Sequence, residues 1–506
     1  MRLSRRRFLA AAAAAPAAVP KPGQPFTAGL VKDRAVDLAK HPYAAPTEAV
    51  PAEWKALDYP HFRQINFRSE HAFWRDRGLF RVELFHRGFQ YDRKVAINLV
   101  ENGIATEIAY APELFDFGSS GLKPKPDKTL GFSGFRLHFP LNKAGIFDEF
   151  AVFQGASYFR LVGRGQQYGL SARGLALDTG GPQGEEFPVF REFWIERPSA
   201  DSSEITVHAL LDSKSTTGAY RFSLMPGGAT RAKVEAVLYP RAELKKPGLA
   251  PLTSMFLHGK PSNRPFADLR PEVHDSDGLL CRTGTGEWLW RPLIDPRGLQ
   301  IASFGDKGPR GFGLMQRERR FEAYEDPEDD YQRRPSAWIE PEGDWAEGAV
   351  ELVEIPSDQE VNDNIVAAWI PRRPIPAGAP FPFAYRLQAF LDDPALPPTG
   401  RAYATRSGPT EPVEAAKDDR HGARRLWVDF IGGDLETLGA DQPLQAIVTA
   451  STGRIGPLRA LRLPDGAWRA AFDFQPDGRK DSELRAYLSL RGQPLTETWS
   501  WRWTAE

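Results

Sequence analysis

Three carboxylates, Asp358, Glu360 and Asp363, share one short loop inside the segment Glu351–Pro371, ELVEIPSDQEVNDNIVAAWIP. Clustered carboxylates do general acid–base chemistry when a fold fixes their separation and tunes their proton affinity. A second acidic run, His274-Asp275-Ser276-Asp277-Gly278, resembles the first positions of a calcium loop but lacks that motif's terminal glutamate, so a plain turn reads equally well. Aromatics are dense in Trp288-Leu289-Trp290, Tyr331, Trp338 and Trp345. Alternation puts Trp288 and Trp290 on one sheet face, where they fill a core or line a sugar cleft. For any single one, core is the better reading.

The elements that must hold the acidic loop are legible. Val350–Ile355 and Ile365–Ile370 are apolar, β-prone runs, and Pro356 and Pro371 end them because proline cannot donate to a sheet ladder. Spacing alone supports a rigid acidic loop and no more, and taken by itself favours a solvated turn.

Other motifs carry less. Gly163–Gly169 (GRGQQYG) follows a strand and precedes no helix, which makes it a turn rather than a phosphate loop. No G-x-S-x-G, H-E-x-x-H or C-x-x-C occurs, and the nine histidines are scattered with none at i,i+4 spacing. The sequence therefore predicts no cofactor and no metal. Cys281 is the single cysteine; beside Leu279 and Leu280 it reads as core. Glu185-Glu186 and Glu322–Asp330 read as solvated loops.

The chain has 506 residues, enough for two or three domains. Its hydrophobic (41%) and charged (26%) fractions are those of a soluble globular protein. With 45 Gly, 44 Pro and 13 Trp, frequent turns and many aromatics point to a β-rich architecture. The balance of 65 basic against 66 acidic residues argues against a nucleic-acid partner.

Ser4-Arg5-Arg6-Arg7-Phe8-Leu9-Ala10, then a short apolar run and small residues at Ala15 and Ala17, resembles a twin-arginine export signal with an A-x-A cleavage site. Removing Arg2, Arg5, Arg6 and Arg7 leaves 61 basic against 66 acidic residues, a charge near −5. The expected compartment is the bacterial periplasm. Phe26–Leu38 has apolar residues at helical spacing, stopped by Pro42 and Pro46. From Arg81 on, short β segments follow one another without intervening helices. This predicts an all-β chain: a large antiparallel β-sandwich and a smaller C-terminal immunoglobulin-like sandwich, with few short helices. The expected boundaries are a signal at 1–20, the large domain at 26–391, a Pro/Gly/Ser/Thr-rich linker at 392–412 and the small domain at 413–506.

Several phrases, among them ASYFRLVGRGQQYGLSARGLALDT, GEEFPVFREFWIERP, GEWLWRPL, RPSAWIEP and VELVEIPSDQEVNDNIVAAWIP, closely resemble the bacterial periplasmic glucan biosynthesis proteins. The resemblance runs from about Phe26 to the C-terminal Trp-Ser-Trp. The twin-arginine signal looks like that of the D paralogue rather than the G paralogue. The resemblance implies a long cleft for glucan with a β-1,2-linked glucose backbone, and anomer-inverting cleavage (an endo-β-1,2-glucanase) or transglycosylation. It implies Asp363, in Asn362-Asp363-Asn364, as general acid; Asp275 as general base acting through a relay; and Glu360 as a supporting carboxylate. Trp288, Trp290, Tyr331 and Trp338 are candidates for substrate binding. The implied partners are the glucan and an inner-membrane glucan synthase, and the oligomeric state is left open. The alternative reading is a non-catalytic glucan-binding or assembly factor working with that synthase.

Overall fold

A computed structural model describes residues 23–45, 50–122, 130–262, 267–410, 422–478 and 480–504. The twin-arginine residues lie outside these. Short runs rich in β-branched and aromatic residues, cut by Gly and Pro turns, become strands that pair mostly antiparallel. One sheet of ten strands runs in the order Gln300–Lys307, Glu347–Glu354, Ile365–Pro371, Pro247–Ser254, Ser171–Arg173, Tyr158–Leu161, Asp148–Gln154, Phe132–Phe139 and Arg81–His86, with Ala176–Leu177 beside Pro247–Ser254. A sheet of sixteen strands packs against it across one hydrophobic core. Phe135, Phe153 and Phe159 from the smaller sheet meet Phe193 and Phe222 from the larger in edge-on contacts, the preferred arrangement for aromatic quadrupoles.

Strand alternation divides each strand between this core and an outer face. In Tyr158–Leu161, Phe159 and Leu161 are buried while Tyr158 and Arg160 are only partly covered. The helix expected over Phe26–Leu38 forms at Ala28–Ala39, where Val31 and Ala35 pack with Trp194 and Leu210 of the large sheet. Among the described residues no helix is long and apolar enough to cross a membrane. Cys281 is buried between Leu289 and Phe312 on neighbouring strands, and burial pushes its thiol far from ionisation.

The C-terminal region differs from the expected layout at its junction. Arg401–Pro409, inside the segment expected to be a linker, is a strand paired with Arg424–Ile431. Its Gly and Pro reside at the end of the strand, at the edge of its sheet, where proline costs no ladder bond. Trp468–Gln475 and Arg454–Arg462 complete that four-stranded sheet. The facing strands Leu444–Ala450, Ser482–Leu490 and Thr498–Trp503 continue the large sheet directly, through parallel pairing of Leu289 with Thr498 and Trp290 with Trp499. The two sandwiches are thus fused along one sheet.

That junction decides the fate of three candidate residues. Trp288, Trp290 and Trp338 do share a face, but it is the face packed on Phe430, Phe472 and Trp499 of the C-terminal sandwich. All three are buried, so they pack the interdomain core and offer a ligand no surface. Alternation fixes which residues share a face; it says nothing of what that face meets.

Candidate active site

The acidic loop is the tip of a hairpin. Glu347–Glu354 pairs with Ile365–Pro371 in a register that sets Glu354 opposite Ile365, leaving residues 355–364 as the loop. Ile355 N–H donates to Asn364 O at 2.9 Å to close it. The buried Asn364 side chain does the rest: Oδ1 accepts from Phe256 N–H (2.8 Å), and Nδ2 donates to Phe256 O (2.9 Å) and Ile355 O (3.0 Å). Phe256 in turn pairs with His274, the residue before Asp275, and Asp275 N–H donates to Met255 O at 2.8 Å. One asparagine amide therefore ties the loop of Asp363 to the segment that carries Asp275. Asn364→Leu should cost about 3 kcal/mol of stability, because three buried backbone groups lose their partner. Urea unfolding checks this; a loss under about 0.5 kcal/mol would show that the amide is not the tie.

Asp363 and Asp275 face one another electrostatically. Asp363 as a residue is open to solvent, while its carboxyl is crowded by neighbouring residues. That crowding raises its proton affinity; Arg160 and Arg173 oppose the rise, and the charge of Asp275 adds to it. The like charge beside Asp363 is thus Asp275, whereas the sequence points to its near neighbour Glu360. Glu360 is occupied elsewhere: Arg270 reaches it at 2.6 Å and Tyr331 Oη donates to it at 3.1 Å. Asp358 is exposed.

Asp275 is buried and ion-paired with Arg334. Burial alone would make Arg334 easier to deprotonate, but Asp275 reverses this and holds the guanidinium charged. Arg334 also lies over the Tyr331 ring, 3.9 Å from its centroid, and pairs with Asp329 at 3.2 Å. Tyr331 itself is buried. It braces Arg334 and Glu360 from behind; no open ring face is left for a sugar.

The two arginines that act on Asp363 come from neighbouring strands of the ten-stranded sheet. Arg160 Nε donates to Ser171 Oγ (2.7 Å), and Arg173 Nε donates to Thr253 Oγ1 (2.7 Å) while pairing with Glu185. Tyr91 and Tyr158 also feel the Asp363 charge. Sequence reasoning missed Arg160, Arg173 and Arg334. The outward alternation of Tyr158 and Arg160 is the one signal that could have found any of them. The acidic stretches are solvated in part, with Glu322, Glu325, Glu328 and Asp329 exposed. Glu185 anchors Arg173, Glu186 accepts from Ser215 N–H (2.9 Å) and Oγ (2.7 Å), and Asp326 binds Arg270 at 2.9 Å. Those loops supply the partners of cleft arginines.

Glu272, His274 and Asp277 bring one donor atom each within 4.8 Å, a set that could surround a cation. The cations already present fit better. Lys260 Nζ lies 3.9 Å from Glu272 and 2.6 Å from Glu318. Gln316 Oε1 faces His274 Nδ1 (2.8 Å), and two carboxylates face Nε2 (3.0 and 3.7 Å). Burial alone would lower the proton affinity of the imidazole, yet Asp277 and Glu272 outweigh it and raise that affinity. Asp277 is further capped by the N–H groups of Arg317 and Glu318, so the segment is a buried ion network rather than an open calcium loop.

A cavity of about 910 Å³ lies elsewhere, beside Val31, Lys32, Glu235 and Trp345, and no candidate residue borders it.

Comparison with known proteins places the whole described chain. The profile described as periplasmic glucan biosynthesis protein, MdoG, matches residues 26–503. Glucans biosynthesis protein G of Shewanella sp. (strain W3-18-1) is 48% identical over 488 residues, 95% of this chain and 87% of that protein. Glucans biosynthesis protein G of Rhodopseudomonas palustris (strain BisA53) is 46% identical over 513 residues, 99% of this chain and all (100%) of that protein. A solved polysaccharide lyase covers 74% of this chain and 44% of its own, with a TM-score of 0.22 and 10% identity, too low to carry an argument.

Proposed function

The chain belongs to the family of periplasmic glucan biosynthesis proteins, and on that premise we propose that it cleaves or transfers β-1,2-linked glucan with inversion at the anomeric carbon. Asp363 is the general acid, Asp275 the base reached through a relay, and Glu360 a supporting carboxylate that orders Arg270 and Tyr331. The observation that carries this reading is that the Asn364 amide ties the Asp363 loop to the segment that bears Asp275, whose charge raises the proton affinity of Asp363.

Inversion needs a protonated carboxyl at the leaving oxygen and a base across the ring, about 6.5–9.5 Å apart to admit water. Asp363 gives its proton to the glycosidic oxygen as the bond to the anomeric carbon breaks. Water, or a sugar hydroxyl in transglycosylation, attacks the opposite face and passes its proton along the relay to Asp275. Crowding and the Asp275 charge keep Asp363 protonated to higher pH than a free aspartate. The ion pair with Arg334 fixes Asp275 in one position.

Because Asp363 must hold its proton, activity should fall as pH rises through its raised pKa. Arg160 opposes that rise, so Arg160→Met should move the alkaline limb of kcat/KM to higher pH. An unmoved or lowered limb would contradict Asp363 as the acid.

The second reading is a glucan-binding factor that holds nascent chains for a membrane synthase and cuts nothing. The carboxylates and arginines of the cleft would also suit recognition of hydroxyl groups. Mass spectrometry of linear β-1,2-glucan incubated with the purified protein separates the two. Shorter or cyclic products support the enzyme, and unchanged glucan with measurable affinity supports the binder.

A further inference from the structure

The C-terminal sandwich reaches both reacting segments through buried arginines. The first tie runs to the base. Arg317 makes a two-pronged pair with Glu497 of the C-terminal sandwich (2.6 and 2.9 Å), whose side chain is wholly buried. Arg317 Nη1 also donates to Ala402 O at 2.9 Å, and its guanidinium lies 3.5 Å from the Trp290 ring centroid. On its other side, Arg317 N–H donates to Asp277, two residues after Asp275.

The second tie runs to the acid. Glu354 is the last strand residue before the Asp363 loop, it is fully buried, and its Oε1 accepts from Ile294 N–H at 2.9 Å. Arg291, also buried, lies between Glu354 (3.9 Å) and Glu483 of the C-terminal sandwich (3.6 Å). Arg502, from the adjacent strand, pairs with Glu483 (3.9 Å) and Asp481 (2.8 Å), and donates to Ile301 O of the ten-stranded sheet (3.4 Å). Burial pushes the Glu354 carboxyl up to about 7, against Arg291 and the Ile294 N–H.

A domain serving only as ballast would need neither tie, and buried charge pairs are poor stabilisers compared with apolar packing. Two such ties converge, one on each reacting carboxylate's segment. We infer that the C-terminal sandwich is part of the catalytic apparatus, with Arg317 and Arg291 as positioning residues that set the separation of Asp275 and Asp363. The inference rests on the acid and base roles given above. Displacements of an ångström at a reacting group cost up to about a hundredfold in rate, so ties far from the sugar can govern turnover.

Arg502→Gln and Glu483→Gln alter partly exposed C-terminal side chains and Glu354→Gln keeps an acceptor for Ile294 N–H, so folding, checked by circular dichroism, should survive. Each should lower kcat on linear β-1,2-glucan about tenfold with the Kd for that glucan within twofold. Each should also shift the alkaline limb of the pH–rate profile, because Asp275 contributes to the proton affinity of Asp363 alongside Arg160 and Arg173. A structural role would lower the melting temperature without moving that limb. Wild-type kcat and an unmoved limb in all three variants would overturn the inference, provided Asp363→Asn is inactive. An active Asp363→Asn would instead overturn the acid assignment itself. Should Glu354→Gln fail to fold, the two C-terminal variants decide alone.

Discussion

Asp363→Asn is expected to lower cleavage of linear β-1,2-glucan by about a thousandfold while leaving glucan affinity within a few-fold. The substitution keeps the shape of the side chain and the loop that holds it, since Asn364 and Ile355 make the closing bonds and Asp363 makes none of them. What it removes is the proton. The substitution leaves the bonds of Arg160 to Ser171 and of Arg173 to Thr253 and Glu185 in place. Initial rates from reducing-end assays, with affinity from calorimetry, would measure both quantities. Cleavage near the wild-type rate would remove Asp363 from the mechanism.

Asp275→Asn should be the second large effect, and it should strike both rate and stability. Turnover should fall by about a hundredfold or more as the terminal proton acceptor is lost. Stability should fall by about 2–3 kcal/mol, because Arg334 is left largely buried with only the half-exposed Asp329 as anion. The double variant Asp275→Asn/Arg334→Met separates the two roles. It removes the unpaired guanidinium and should recover much of the stability while recovering none of the activity. Recovery of activity in the double variant, or wild-type turnover in Asp275→Asn, would show that Asp275 serves only to neutralise Arg334.

The hairpin that carries Asp363 was legible because its strands are apolar, β-prone runs, each ended by a proline. The observed strands, ending at Glu354 and restarting at Ile365, lie within a residue of that reading. The roles of Asp363 and Asp275 were not legible from spacing; the family resemblance suggested them. Of the arginines, Arg160 alone had a signal, its outward alternation with Tyr158. Arg160 and Arg173 lie on paired neighbouring strands while Arg334 lies far along the chain, and the fold brings the three to the carboxylates. Trp288, Trp290 and Trp338 were ambiguous for a physical reason: a large amphipathic ring suits a domain core as well as a sugar cleft. The strand Arg401–Pro409 was obscured by composition, since Pro, Gly, Ser and Thr mark linkers and edge strands alike.

The central claim is inverting chemistry between Asp363 and Asp275, and the anomer of the newly formed reducing end tests it most directly. Proton NMR recorded during the first minutes of glucan cleavage, before mutarotation mixes the anomers, reads that configuration. New ends are expected to form first as the α-anomer, inverted from the β-linkage. New ends forming first as the β-anomer would contradict that claim.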